Sequence, residues 1–219
     1  MNKVIASSIS KKFVMALAGL FLLTFLPVHL GINFLLLKPD PEPFNKAAEF
    51  MATFPVIKIV EIILMLAILI HIIYGIVLQI QNWLARPRRY SSGSKSKTSF
   101  FSKFMIWTGG TIFIFLVIHF LNFYFIKLGL VDGIPVEGEA EDFYSVAYQL
   151  FKKPVYNIIY WVCFAGLGLH LYHAFSSAFQ TLGLNHRIWT PVVNFLAVIY
   201  AIIIPLGFMS IPLIIWLFK

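Results

Sequence analysis

The chain has 219 residues, 60% of them hydrophobic and only 12% charged, with a mean hydropathy of +0.87. A soluble domain of this length lacks the interior to hide so much apolar side chain, so the composition excludes one and makes a bilayer the solvent. The net charge of +8 does not point to nucleic acid, because the basic residues lie in short segments between apolar runs, where topology signals sit.

The N-terminal segment carries Lys3, Lys11 and Lys12, followed by an uninterrupted apolar run from Phe13 to Leu37. That run is too long for the core of a signal peptide, and it ends in Lys38-Pro39-Asp40 without a small-residue cleavage pattern, so it reads as a retained first helix. Further apolar runs follow at about 56–83, 104–126, 155–179 and 191–218. Each can cross a hydrocarbon core of about 30 Å at 1.5 Å per residue. Pro55, Pro154 and Pro191 stand near the starts of three of them, where a missing N–H costs little. Pro205 and Pro212 fall inside the last run and are expected to kink it. Between the runs, 42–54 and 139–151 read as short amphipathic helices lying in an interface. One face would carry Phe44, Ala47, Ala48 and Met51, the other Phe143, Ala147, Leu150 and Phe151. The single cysteine, Cys163, has no partner in the chain and reads as core packing. The expected fold is an all-α bundle of five membrane-spanning helices.

The basic residues orient it. With the N-terminus cytoplasmic, the inside segments are 1–12, 84–103 and 180–190. They hold Lys3, Lys11, Lys12, Arg86, Arg88, Arg89, Lys95, Lys97, Lys103 and Arg187, ten of the 17 basic residues and none of the nine acidic ones. The polar run from Arg86 to Lys97 reads as a topology anchor, or as a docking edge for a cytoplasmic partner.

Five of the six histidines lie in apolar runs: His29 in the first, His71 in the second, His119 in the third, and His170 and His173 in the fourth. An ionisable residue within a span is expensive and reads as functional by default, although any one alone could equally make an interhelical hydrogen bond. Counted from flanking lysines and prolines, His29 and His119 share one depth, and His71 and His170 share another. The levels differ by about 7 residues, or on the order of 10 Å. Four helices thus offer two cross-bundle pairs stacked along the membrane normal. Zinc asks for three or four protein ligands, and copper or non-haem iron for a third donor. Haem needs only two axial imidazoles, because the porphyrin fills the other positions. Gly75, one turn beyond His71, and Gly166 and Ala174, flanking His170, would give a macrocycle room. Phe25, Asn33, Phe115 and Phe123 occupy the same offsets around the other pair. His173 competes with His170; His170 is taken as the ligand, with His173 as a supporting group or alternative ligand.

Glu61 is the only carboxylate within a span. It reads either as a helix-end residue paired with Lys58 or as the proton donor or acceptor of a quinone beside the outer haem, with Asn33, Lys58 and Asn122 as neighbours. On the inside, Gln79, Trp83, His173, Gln180, His186 and Arg187 are available to haem propionates or to the interface.

These residues resemble a known family, the single-polypeptide dihaem cytochrome b membrane subunit of succinate:quinone oxidoreductases and fumarate reductases. Almost the whole chain is similar. The most specific stretch is His170-Leu-Tyr-His-Ala-Phe-Ser-Ser-Ala-Phe-Gln-Thr-Leu-Gly-Leu-Asn-His186, and the beginning from Ser8 to His29-Leu-Gly-Ile-Asn33 is also similar. In the family a Gly-Asn pair usually follows the first histidine; here Ile32 replaces the glycine. The resemblance implies that His29 and His119 hold a distal haem b and that His71 and His170 hold a proximal one. It also implies a membrane quinone, expected to be menaquinone, and a bacterial cytoplasmic membrane. The implied partners are a succinate-oxidising flavoprotein and an iron–sulfur subunit on the cytoplasmic face. The chain has neither a nucleotide-binding glycine motif nor a cysteine cluster, so dicarboxylate chemistry would be the partners'. Two other readings share features of the sequence: the dihaem anchor of another respiratory dehydrogenase, and a haem-free transporter or structural bundle.

Overall fold

The structure, a computed structural model, describes residues 8–84, 100–131 and 142–218. Among them every regular element is helical and none is a strand. In chain order they are α1 (Ser8–Asn33) with a 3-10 turn Phe34–Leu37, α2 (Glu42–Thr53), and α3 (Pro55–Leu84). Next come α4 (Phe100–His119), continued by a π-helical turn Phe120–Tyr124 and a last turn Phe125–Lys127, then α5 (Phe143–Lys152), α6 (Pro154–Thr181) and α7 (Trp189–Phe218). Among the described residues five stretches are long and apolar enough to cross a membrane: Ile9–Leu37, Pro55–Leu84, Phe104–Lys127, Pro154–Thr181 and Trp189–Phe218. They match the five expected spans, except that the first begins at Ile9 and includes Lys11 and Lys12, whose long stems can carry their charge to an interface. Lys3 and the basic run from Arg86 to Lys97 lie outside the described residues.

Local chemistry sets the ends. Pro154 opens α6 at a position whose N–H would have had no partner. Glycines close two helices. Gly129 and Gly183 take φ of 66° and 77°, a left-handed conformation that costs a glycine little. The chain then folds back, with Leu130 N–H on the Phe125 carbonyl and Leu184 N–H on the Phe179 carbonyl.

α1 packs against α3 on one side and α6 on the other; α4 packs on α6 and touches α3 more lightly, while α7 lies along α6 and α1. The ring of α3, α1, α6 and α4 therefore sets α1 diagonally from α4, and α3 diagonally from α6. Much of α3 faces outward, with Ile62, Ile63, Leu66, Leu69 and Ile73 all exposed. Such a surface suits hydrocarbon, where no water competes for the backbone and each helix satisfies its own.

The prolines inside the spans test that rule, because each leaves the carbonyl four residues earlier without its donor. Pro27 in α1 frees the Leu23 carbonyl, and the Tyr200 hydroxyl of α7 donates to it. Pro205 frees the Ala201 carbonyl. A Cβ on Gly168 of α6 would lie only 3.0 Å from that oxygen, so glycine there lets the two backbones close up. Near Pro212, Trp161 Nε1 donates to the Met209 carbonyl at 3.2 Å.

One end of the bundle is covered by α2 and α5. The expected faces are the sheltered ones: Phe44, Ala147, Leu150 and Phe151 are buried, joined by Val146. The two short helices are more than interfacial, because they bond to each other. Asn45 Nδ2 donates to Asp142 Oδ1 at 2.8 Å, the Tyr144 N–H donates to Asn45 Oδ1, and the Tyr144 hydroxyl donates to the Lys38 carbonyl. Burial alone would raise the Asp142 carboxyl. Hydrogen bonds from Ser145 and Asn45 and from the Ser145 and Tyr144 backbone outweigh it and hold the group below its ordinary value.

The Pro27–Tyr200 arrangement predicts a coupling. Tyr200→Phe lowers stability by about 1 kcal/mol, read as the thermal unfolding of the chain in detergent. In a Pro27→Ala background the restored N–H satisfies Leu23, and the same substitution becomes nearly silent. Equal losses in both backgrounds would contradict the pairing.

Candidate cofactor-binding site

α3 and α6 bring His71 and His170 together across one diagonal of the ring, with ring centres 6.3 Å apart and planes at 74°. Each imidazole is seated by the helix next to it. His71 Nδ1 lies 3.3 Å from the Met15 carbonyl of α1. A carbonyl only accepts, so Nδ1 carries the proton and Nε2 keeps its lone pair. His170 Nδ1 lies 3.3 Å from Thr108 Oγ1 of α4, while the Thr108 hydroxyl donates to the Met105 carbonyl at 3.1 Å. The hydroxyl proton being used, its oxygen accepts from Nδ1, and His170 too is left with Nε2 unprotonated. Glycines make the room: a Cβ on Gly19 would meet His71 Cε1 at 3.2 Å, and one on Gly109 would meet His170 Cε1 at 3.7 Å.

The second diagonal joins α1 to α4. His29 and His119 stand with ring centres 5.9 Å apart and planes at 86°. Phe25 stacks on His29 and Phe115 on His119, with Phe123 and Phe208 completing an aromatic surround. Asn33 Nδ2 donates to the His29 carbonyl at 2.8 Å. His119 Nδ1 is buried and has no hydrogen-bond partner among the described residues. Directly after His119 the helix widens into the π-helical turn Phe120–Tyr124, a distortion that is rare and common at functional sites. Asn122 within it donates to the hydroxyl of buried Tyr160 at 3.2 Å.

The levels are farther apart than the flanking charges suggest. Gly19 touches the His71 level and Gly109 the His170 level, and each lies ten residues before the second-pair histidine on its own helix. Ten residues of helix span roughly 15 Å, against the expected 10 Å. Prolines and lysines were poor depth gauges because Pro55 follows directly on α2 at the covered end and Lys127 is drawn to Glu61. The ring facing His71 is that of His170; His173, one turn on, is half-buried.

Two imidazoles on opposite sides of one metal ion, each nitrogen about 2 Å from it, have ring centres roughly 6 Å apart. Both pairs have that spacing. Edge-to-face rings pack at similar distances, so the nitrogens matter more: His71 and His170 each keep one lone pair uncommitted, and His119 buries a nitrogen that a metal would satisfy. Among the described residues no third histidine, cysteine or carboxylate joins either pair. The residues fit an axially ligated macrocycle.

Glu61 does more than pair with Lys58. Lys127, at the end of the third span, lies 3.3 Å from both carboxylate oxygens, and Lys58 lies 3.5 Å from Oε2. The cluster ties α3 to the last turn after α4. At the opposite end Trp83, Gln180, His186 and Arg187 are exposed, and His186 Nδ1 accepts from the Ile188 N–H. Gln81, passed over in the sequence, buries its Oε1 there without a partner among the described residues.

The expected room-giving residues are partly displaced. Gly75 has nothing near its missing Cβ, and Gly166 makes room for Thr111. Gly19 and Gly109 hold the ring positions instead. Their equal ten-residue offset from His29 and His119 was a legible sign. Compared with protein-family models, curated proteins and solved structures, the chain matches none.

The two seats differ in tightness, which is testable. Alanine favours helix over glycine by about 1 kcal/mol, so Gly109→Ala holds or raises the unfolding temperature in detergent. Gly19→Ala presses on the His71 ring and falls below it. A Gly19→Ala protein as stable as Gly109→Ala would contradict the tight seat.

Proposed function

We propose that the chain is the haem b-containing membrane subunit of a succinate:quinone oxidoreductase or fumarate reductase, passing electrons between a cytoplasmic iron–sulfur subunit and a membrane quinone. The observation that carries this reading is the pair of diagonal imidazole contacts, His29–His119 and His71–His170, at 5.9 and 6.3 Å. In the proposed orientation the end covered by α2 and α5 faces outward from a bacterial cytoplasmic membrane. The basic segments and the N-terminus then face the cytoplasm, where a flavoprotein and its iron–sulfur partner would dock.

Two haems bound at these levels would supply one-electron steps along the membrane normal. The protein's part is to hold them. His71 and His170 would ligate the inner haem, each with its Nδ1–H anchored on a neighbouring helix, an arrangement that fixes the ring and strengthens it as a ligand. His29 and His119 would ligate the outer haem inside the phenylalanine surround, which excludes water. Glu61 lies on the outer side, within reach of a quinone entering from the bilayer. Held as a carboxylate by two ammonium groups, it would accept a proton from quinol or return one to quinone.

The purified membrane complex should show two low-spin haem b signals in its reduced-minus-oxidised spectrum. His71→Ala and His170→Ala remove the same haem, and His29→Ala and His119→Ala remove the other. Absence of haem b would leave a haem-free bundle, and loss of one shared haem in His29→Ala and His71→Ala would break the pairing. Co-purification of a formate or hydrogen oxidiser in place of a succinate-oxidising flavoprotein would assign the cytochrome to another dehydrogenase.

A further inference from the structure

The seats of the two inner imidazoles are made differently. His71 rests on a backbone carbonyl, that of Met15, which no substitution can remove. His170 rests on a side chain, that of Thr108, and Thr108 is itself fixed by its bond to the Met105 carbonyl. A hydroxyl can either donate or accept, so left to itself it would not dictate which nitrogen of His170 is protonated. With its proton spent on Met105, it can only accept. The chain His170 Nδ1–H to Thr108 Oγ1–H to the Met105 carbonyl has one consistent direction of donation. Thr108 of α4 therefore sets the tautomer of a ring carried by α6.

We propose that Thr108 is a positioning residue for His170, fixing Nε2 as the nitrogen offered to the inner haem and strengthening it as a ligand. The proposal rests on the haem reading above. Donation of Nδ1–H to an acceptor makes the opposite nitrogen more basic, and a more basic axial ligand favours ferric over ferrous iron. Removing the acceptor therefore raises the midpoint potential of the inner haem. Thr108 bonds to His170 and not to His29 or His119, so the outer haem would serve as an internal standard.

The experiment is a redox titration of the intact complex, read by absorbance and by low-temperature electron paramagnetic resonance, on native protein, Thr108→Val and Thr108→Ser. Thr108→Val should raise the potential of one haem, shift that haem's ferric signal and leave the other haem unmoved. Thr108→Ser, which keeps the hydroxyl, should titrate like the native complex. Loss of the inner haem alone in Thr108→Val, with full retention in Thr108→Ser, supports the same role through occupancy. Unchanged potentials and signals in Thr108→Val, or a Thr108→Ser complex that moves with it, overturn the proposal while leaving the cytochrome reading intact. Native protein without haem overturns both.

Discussion

The arrangement turns on imidazoles that reach across the diagonals of a four-helix ring. Neighbouring helices in the ring hold together by ordinary apolar packing, with small residues where backbones close up. Opposite helices do not lie side by side, and the rings of His29 with His119 and of His71 with His170 meet in the space between them. A histidine in a span is costly unless its polar atoms are satisfied. The two levels meet that demand unequally. One has a carbonyl and a hydroxyl to anchor its rings, and the other has an aromatic surround and a buried nitrogen left over. In the proposed cytochrome this difference would place the two haems in different surroundings, one with its ligands bonded to neighbouring helices and one inside an aromatic surround.

A single helix serves both levels. α1 offers the Met15 carbonyl and Gly19 to the ring of α3, then its own His29 to the ring of α4. α4 repeats the pattern, with Thr108 and Gly109 seating the ring of α6 and His119 meeting that of α1. Seat and ligand are ten residues apart in both, so the vertical spacing is written twice into the chain. α7 stays outside the ring and does a different task. Its Tyr200 satisfies the carbonyl that Pro27 frees in α1, and its Gly207 lets Leu30 come close. A bilayer tolerates proline in a span only where a neighbour completes the broken ladder.

Much of this was legible in the sequence. Hydropathy located the five spans because twenty-odd apolar residues admit few other readings. The histidine pairing followed from counting along antiparallel helices, and the rings do meet in those pairs. The spacing between levels is longer than flanking residues imply, since Pro55 and Lys127 answer to α2 and to Glu61 rather than to a fixed membrane boundary. Pro27 and Thr108 carry no signal of their own. Each matters through a residue far away in sequence, and a single sequence gives no sign of such contacts. The pairing of Glu61 with Lys58 is legible in their spacing, but the stronger of its two cationic neighbours, Lys127, lies 66 residues away.

Low-temperature electron paramagnetic resonance of the oxidised complex decides whether these imidazoles grip iron. Two imidazoles gripping one ferric ion with planes 86° and 74° apart give low-spin signals of unusually large anisotropy. Two such signals are expected from one chain. A spectrum without low-spin ferric iron would contradict the haem reading.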